Sequence, residues 1–409
     1  MMMGMEAAYV NMDEGFVEAM CRAMRKGILD DNVYQQLKQT TNTTEFKMVL
    51  EDTDYGAALF ENQSKDNQAS QELEVRLLRL AMKQKLAFEL EFLRSQAVWP
   101  LNEFIERMLH GYQIDNVVFM IEGLKSGRSK AELENTADPL GYFKELKNIQ
   151  NVEGDDYAGL YQNVLIDLPV GIYFRKFLDE VTEGVVSDDD NQINNEFISQ
   201  AMKDYNLQQI QLRVRKIWLN EFYEFCQTKL TETSRDVMSD FISFEADCQL
   251  IQIIANSLMV GGQGANVNSA SRELERKKYM SKVGYLYPER EEKLKMVTDL
   301  RALQLAVEAT PYEKILAAAN SGDDRNEAES NEVTIDDAML KEASRRYSLG
   351  FEGGFHCGVF FAYLKLKEQE IKNVTWLAEL VQMNVSRNLP GWNKYIPPWQ
   401  YHLNDLDNK

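Results

Sequence analysis

The sequence has few of the residues that most often carry catalysis or bind metals. It contains three histidines and four cysteines among 409 residues. The histidines are far apart, and none has a second histidine or a cysteine at the spacing of a metal site. The cysteines form no CxxC pair, and four scattered cysteines in so long a chain are typical of buried thiols in a reducing compartment. We therefore expect no metal site, no cofactor and no disulfide framework.

Basic charge and long hydrophobic runs are also scarce. Lysine and arginine number 45 against 65 acidic residues, so the formal net charge is −20. Nucleic-acid binding needs a basic surface, so the composition argues against a nucleic-acid partner. The most apolar short stretch, Gly358–Leu364, is far shorter than the ~18 apolar residues of a spanning helix. Any membrane contact is therefore expected to be indirect, through a partner.

Helix is the predicted secondary structure. Only 8 prolines and 22 glycines occur, and hydrophobic residues make up 44% of the chain, enough for a full core. Long periodic segments at 71–97, 209–228 and 355–386 predict long helices, and 183–195 and 320–334 have loop compositions. Val164–Ile166 is a short strand candidate that fits a helix equally well. The predicted fold class is all-α.

The segment 71–97 is apolar on more than one face. One set of residues falls near a 3.6-residue period and a second set lies off that stripe: Leu73, Leu77, Ala81, Phe88 and Phe92 in the first, Leu78, Leu86, Leu90 and Leu93 in the second. Such a helix is usually packed between neighbours on both sides. We therefore expect both faces to be buried.

An internal repeat appears when the chain is shifted by 257 residues. Matched pairs include Gly27 with Gly284, Leu29 with Leu286, Tyr55 with Tyr312, and Asn116 with Asn373. A fainter middle copy begins near Pro139 and ends in Phe244–Asp247. We predict three helical repeats over 1–138, 139–272 and 273–409, which can close into a pseudo-threefold ring or funnel. The alternative is that helical, leucine-rich chains share this spacing by chance.

Acidic pairs are the first residues to consider for catalysis. Glu245 and Asp247 are two residues apart, as are Glu368 and Glu370. Residues two apart on a helix point to different faces, so neither pair converges on one site. We expect these carboxylates to make surface or interhelical polar contacts, and we predict no catalytic residue.

Repeated polar residues are the stronger candidates for structure or partner binding. Asn116 and Asn373 stand in apolar contexts and must find hydrogen-bond partners, either as links between helices or around a cavity that receives a partner. Tyr55 and Tyr312 either pack with a bonded hydroxyl or rim a binding surface. Trp376 is expected in the core.

Motifs along nearly the whole chain carry a family resemblance. They are Asn11–Phe16, Gly27–Leu29, Thr53–Gly56, Gly111–Val117, Pro139–Gly141, Phe244–Asp247, Leu286–Pro288, Lys367–Glu379 and Tyr395–Pro397. In these motifs the chain resembles the subunit d family of eukaryotic V-type proton ATPases and, more distantly, the C-type subunits of archaeal rotary ATPases. The run Lys367–Glu379 is the most specific of them.

The resemblance implies a non-enzymatic role in the membrane sector of the proton pump. Members of the family are all-helical funnels of three pseudo-threefold domains. They couple the central rotor stalk, with its subunits D and F, to the proteolipid c-ring, so that ATP hydrolysis drives proton transport. The implied location is the cytoplasmic face of vacuolar and other acidic endomembranes, as a peripheral subunit beside other V-type ATPase subunits. A free-standing cytosolic helical adaptor remains the alternative.

Overall fold

The computed structural model describes residues 14–63, 74–151, 168–182, 206–260, 269–320, 334–387, 390–396 and 398. Within these ranges the regular elements are helices and no strand is present, which confirms the all-α prediction. The strand candidate Val164–Ile166, the stretch 183–195 and most of 320–334 lie outside the described residues.

The α-helices are numbered here in chain order. The first nine are α1 Gly15–Met24, α2 Asp31–Gln39, α3 Thr43–Glu51, α4 Gly56–Gln63, α5 Val75–Gln96, α6 Leu101–Lys125, α7 Lys130–Thr136, α8 Gly171–Thr182 and α9 Leu207–Lys229. The others are α10 Glu232–Val260, α11 Ser269–Tyr279, α12 Glu291–Lys295, α13 Leu300–Ala306, α14 Tyr312–Asn320, α15 Ile335–Leu349 and α16 Gly358–Gln382. Short 3₁₀ segments occur at 25–27, 139–141, 144–151 and 390–393. The predicted long helices correspond to α5, α9 and α16.

Side-chain caps fix where several helices begin. The Asp30 carboxylate accepts the Val33 N–H at the start of α2. Asn42 and Asp299 do the same for α3 and α13. Thr334 opens α15 with a capping box, in which its hydroxyl and the carboxylate of Asp337 each accept the other residue's backbone N–H. Each cap satisfies N–H groups that the first helical turn leaves unpaired.

The chain divides into two compact units, and neither is continuous in sequence. The first consists of Met1–Ile105, Cys226–Asn266 and Gly284–Lys409. Its centre is α16, which packs against α1, α3, α5, α10 and α15. Most of the 25 residues of α16 are buried, and the more exposed ones, among them Lys372 and Trp376, lie along one narrow face of the helix.

The second unit consists of Glu106–Phe225 and Val267–Val283. Here α6 and α9 are joined by the indole of Trp218, which donates to the carbonyl of Arg107 at 2.8 Å, and by an ion pair of Arg215 with Asp115 at 2.9 Å. The apolar face of α9 is buried; it consists of Ile210, Val214, Ile217, Trp218 and Phe225. The first unit contains parts of all three predicted repeats, so the division into two units does not test the repeat boundaries. Those boundaries stay a prediction.

The prediction for α5 was wrong about which faces are covered. The off-stripe residues Leu78, Leu86, Leu90 and Leu93 are buried, whereas Leu77 and Phe88 are 49% and 74% exposed. Within the described residues the helix therefore buries one main face. Apolar residues occur on two faces of this 22-residue helix, and the sequence pattern does not show which of the two faces has a neighbouring element to pack against.

Candidate functional site

A buried ion pair, the Glu370 cluster, fixes α16 to the loop after α1. The side chain of Glu370 has no solvent exposure. Its Oε1 accepts the Tyr55 hydroxyl at 2.5 Å and the Lys367 ammonium at 2.9 Å, and its Oε2 accepts the backbone N–H of Leu29. Lys367 also donates to the carbonyl of Gly27 at 2.9 Å, and its Nζ lies 4.7 Å from the centre of the Tyr55 ring. The cluster is neutral in sum and fully hydrogen-bonded.

A second carboxylate, in the Asp247 cluster, fixes α10 to the segment before α12. Asp247 is 2% exposed. Its Oδ2 accepts three donors: the backbone N–H of Tyr285 at 2.7 Å, that of Leu286 at 3.3 Å and the hydroxyl of Tyr312 at 2.8 Å. Gly284 has φ +138, and a Cβ there would stand 2.2 Å from Asp247 Oδ1. Only glycine lets the loop approach the carboxylate this closely.

The two clusters are built from matching positions of the sequence repeat. Leu286 and Tyr312 stand 257 residues after Leu29 and Tyr55. In both clusters a carboxylate on a long helix accepts the N–H of the leucine and the hydroxyl of the tyrosine. The repeated tyrosines, both at most 1% exposed, therefore pack with a bonded hydroxyl, as one of the two sequence interpretations has it.

The two clusters differ in charge compensation. Lys367 lies three residues before Glu370, whereas Phe244 lies three residues before Asp247 and stacks on Tyr312 with ring centres 5.9 Å apart. The nearby cation Arg346 binds other carboxylates, those of Asp240 at 2.8 Å and Glu342 at 2.9 Å. Burial raises the pKa of Asp247 to about 7, although its three hydrogen-bond donors and Arg346 act in the opposite direction.

The repeated asparagines form a third kind of link. The Asn116 amide donates to the carbonyl of Asp138 at 2.8 Å and accepts the N–H of the same residue at 2.9 Å. Asn373 does the same with Ile396, donating at 2.5 Å and accepting at 3.2 Å. Both side chains are at most 3% exposed. Each amide thus pairs with both backbone groups of a segment that follows its helix, which is the structural link expected from sequence.

We expect Asn373→Ala to lower the free energy of unfolding by about 2–4 kcal/mol, because it leaves the N–H and the carbonyl of Ile396 buried without partners. Asn116→Ala should show a similar loss in the second unit. Asn32→Ala, at an exposed position of α2, is the matched control and should change stability by less than about 0.5 kcal/mol. The measurement is urea unfolding followed by circular dichroism, and equal midpoints for all three variants would contradict the role of the amides.

The other predicted residues lie nearer the surface. Glu245 on α10 accepts the Tyr347 hydroxyl at 2.5 Å and pairs with Lys365 at 3.1 Å. Glu368 lies 3.9 Å from the same lysine. The contacts of Glu245 are interhelical, as expected, whereas the contact of Glu368 lies within α16. Trp376 is not the core residue that the sequence predicts, because it is 39% exposed with its indole N–H on the carbonyl of Gly391 at 3.0 Å.

Sequence reasoning misses the most deeply buried charges. In the sequence, Glu370 stands out only because Glu368 lies two residues before it. Nothing in the sequence distinguishes Lys367 from lysines on exposed helix surfaces. Another buried carboxylate, Glu89 on α5, accepts the hydroxyl of Tyr363 at 2.7 Å and is missed as well. The available signal is the alignment of α10 with α16, which places Asp247 opposite Glu370 at an offset of 123 residues. The repeat is clearest at an offset of 257, which does not bring these two carboxylates into register.

The clusters are suited to holding helices and loops together. Burial raises the pKa of the Tyr55 hydroxyl and of the Cys357 thiol well above their usual ranges, so both stay protonated at neutral pH. Among the residues that the structure describes, no group of histidine, cysteine, aspartate and glutamate side chains is arranged to hold a metal ion. Over the same ranges, no helix has the length and apolar character needed to cross a membrane.

Comparison with known proteins gives one consistent result. The profile of the ATP synthase (C/AC39) subunit family matches residues 17–390. The chain is 32% identical over 390 residues to V-type proton ATPase subunit d of Dictyostelium discoideum, covering 95% of both chains. It is 32% identical over 384 residues to subunit d1 of Arabidopsis thaliana, covering 94% of this chain and 96% of the relative. It is 29% identical over 393 residues to subunit d of Saccharomyces cerevisiae, covering 96% and 99%.

Proposed function

The chain belongs to the ATP synthase (C/AC39) subunit family, and on that premise we propose that it is a non-catalytic coupling subunit in the membrane sector of a V-type proton ATPase. It links the central rotor stalk to the proteolipid ring, so that ATP hydrolysis drives proton transport. The observation that carries the proposal is the near-complete match, in both directions, to relatives named V-type proton ATPase subunit d.

The helix packing within the first unit supports a role in transmitting mechanical load. Coupling rotation requires a body whose helices do not slip past one another. The Glu370 and Asp247 clusters each tie a long helix to a loop distant in sequence, and most of α16 is buried against neighbouring helices. We propose that repeats 1–138, 139–272 and 273–409 form a pseudo-threefold funnel that receives the foot of the stalk.

The proposed partners follow from the same role. They are the proteolipid c-ring, the central stalk subunits D and F, and other V-type ATPase subunits. We place the chain on the cytoplasmic face of vacuolar or other acidic endomembranes, in contact with the membrane through the ring. The net charge of −20 suits protein partners with basic surfaces and argues against nucleic acid.

The test is affinity purification of the tagged full-length chain from gently solubilised membranes, with the co-purifying chains identified by mass spectrometry. We expect proteolipid and central-stalk subunits in the eluate, and ATP-driven proton pumping by the complex after reconstitution into vesicles. The isolated chain should show no ATP hydrolysis. Recovery of a soluble monomer without these subunits would instead favour the free-standing adaptor.

A further inference from the structure

Two short runs of basic residues stand out in a chain whose formal net charge is −20. Residues 213–216 are Arg-Val-Arg-Lys and residues 276–282 are Arg-Lys-Lys-Tyr-Met-Ser-Lys, with no acidic residue in either run. The first run belongs to α9, and the second covers the end of α11 and the segment after it. Both runs lie in the second unit, and together they are called the basic patch here.

The fold brings the two runs of the basic patch into contact. The ammonium of Lys216 donates to the backbone carbonyl of Lys278 at 3.0 Å, which places the end of α11 beside α9. One turn further along α9, the side-chain oxygen of Asn220 accepts the hydroxyl of Ser281 at 2.5 Å, and the oxygen of that hydroxyl accepts the N–H of Val283 at 3.1 Å. These contacts fix the two runs side by side without any ligand.

Positive charge exceeds negative charge at the basic patch. Glu180 on α8 lies 3.4 Å from Arg213 and 3.6 Å from Lys216, so two cations share one carboxylate. Lys277 and Lys282 are exposed and form no ion pair with a carboxylate in the part of the chain that the structure describes. Burial and the nearby charges of Arg213 and Lys282 lower the pKa of Lys216, while Glu180 acts in the opposite direction.

The carboxylate of Glu180 is a loose partner for the two cations it shares. Ion pairs with good hydrogen-bond geometry have nitrogen–oxygen distances of about 2.7–2.9 Å. Arg215 reaches this distance with Asp115, at 2.9 Å, whereas both contacts of Glu180 are longer and its side chain is 41% exposed. An anion with more than one negative charge would satisfy these cations better than one carboxylate does. Clustered lysine and arginine side chains of this kind are typical of sites for phosphate headgroups.

We propose that the basic patch binds a multivalent phosphate, either the headgroup of a phosphoinositide lipid or a free inositol phosphate. The ligand binds Lys216 and Lys282, with Lys277 at the edge of the site, and displaces the carboxylate of Glu180. The proposal goes beyond the coupling role, because it gives the second unit a ligand of its own. It does not depend on assembly into a pump, so it can be tested on the isolated full-length chain.

The experiment is isothermal titration calorimetry of the full-length chain with two probes. One probe is inositol trisphosphate in solution. The other is a vesicle of phosphatidylcholine that contains phosphatidylinositol bisphosphate, compared with a vesicle that carries the same charge as phosphatidylserine. We expect saturable binding of at least one probe, weakened by salt. Binding of the phosphoinositide vesicle alone identifies a lipid headgroup as the ligand, and binding of the soluble probe identifies a free phosphate.

Variants with effects of opposite sign separate the basic patch from a general effect of charge. Lys277→Gln combined with Lys282→Gln should weaken binding by about fivefold to 25-fold. Glu180→Gln should strengthen binding by about fivefold, because it removes the competing carboxylate. Lys341→Gln, at an exposed position of α15 in the first unit, is the matched control and should leave binding unchanged.

Three results would each overturn the proposal. The first is no saturable binding of either probe by the wild-type chain, which does not depend on any variant. The second is equal binding of the phosphoinositide and phosphatidylserine vesicles without binding of the soluble probe. The third is a loss of binding in Lys341→Gln as large as that in the double lysine variant, since the overall charge and not the patch would then set the affinity.

Discussion

We expect the replacement of Lys367 with methionine to lower the free energy of unfolding by about 3–5 kcal/mol. Lys367 and Glu370 have side-chain exposures of 1% and 0%, so the change leaves the carboxylate buried without its counter-charge. Methionine has a similar length and keeps the apolar packing of the stem. The loss therefore reports the missing ammonium rather than a cavity. Urea unfolding of the full-length chain at pH 7, followed by circular dichroism, measures it.

Two further variants separate the charge effect from general damage. Arg94→Met breaks an exposed pair on α5, Arg94 with Glu91 at 2.8 Å, and should cost less than about 1 kcal/mol. The double variant Lys367→Met with Glu370→Gln removes both charges and should recover a large part of the loss. If Lys367→Met were no more destabilising than Arg94→Met, the ion pair would not be an important link in this core.

The repeat makes part of these clusters predictable from sequence. Tyr55 and Tyr312, like Asn116 and Asn373, stand out because each occupies the same place in two copies, and the structure gives each pair equivalent partners. An asparagine inside an apolar helix must be satisfied, so its burial with a hydrogen-bonded partner follows from sequence alone. Which backbone segment it meets does not, because that depends on how the chain returns.

The buried charges are not predictable by the same reasoning. Lysine and glutamate are mostly exposed in proteins, so a Lys-Glu-Gln-Glu run is normally interpreted as a solvated helix face. The run is buried because α16 packs against five other helices. That packing depends on the tertiary structure and is not visible in the sequence pattern. The same reason explains the error in α5, where only the neighbours decide that Leu86 is buried and Phe88 is exposed.

The chemistry of the clusters is relevant to the proposed coupling role. A buried carboxylate bonded to backbone N–H groups specifies one register, because any other register leaves the charge and its donors without partners. Asp247 and Glu370 both fix such a register between a long helix and a loop. Asn373 adds another between α16 and the C-terminal segment at Ile396. Stability and coupling are therefore expected to depend on the same few polar groups.

The second large effect is the pH dependence that Asp247 contributes to stability. Its pKa is about 7 in the folded chain against an ordinary value of 3.8, so the folded form binds the proton more tightly than the unfolded form. The contribution is fully present below pH 4 and is lost as the pH rises through 7. At about 1.4 kcal/mol per pH unit, the loss over this window is on the order of 4 kcal/mol.

Asp247→Asn isolates that contribution, because the amide keeps an acceptor oxygen and cannot ionise. The variant should gain stability relative to the wild-type chain as the pH rises from 5 to 7, and the gain should level off near pH 8. Glu370→Gln is the matched control and should be destabilised throughout, since it leaves the buried Lys367 with only Asp54, at 3.9 Å, as a counter-charge. Urea unfolding at pH 5, 6, 7 and 8 gives both curves. A constant difference between Asp247→Asn and the wild-type chain over this range would mean that Arg346 compensates the carboxylate from a distance, and the charge asymmetry between the two clusters would then have no energetic consequence.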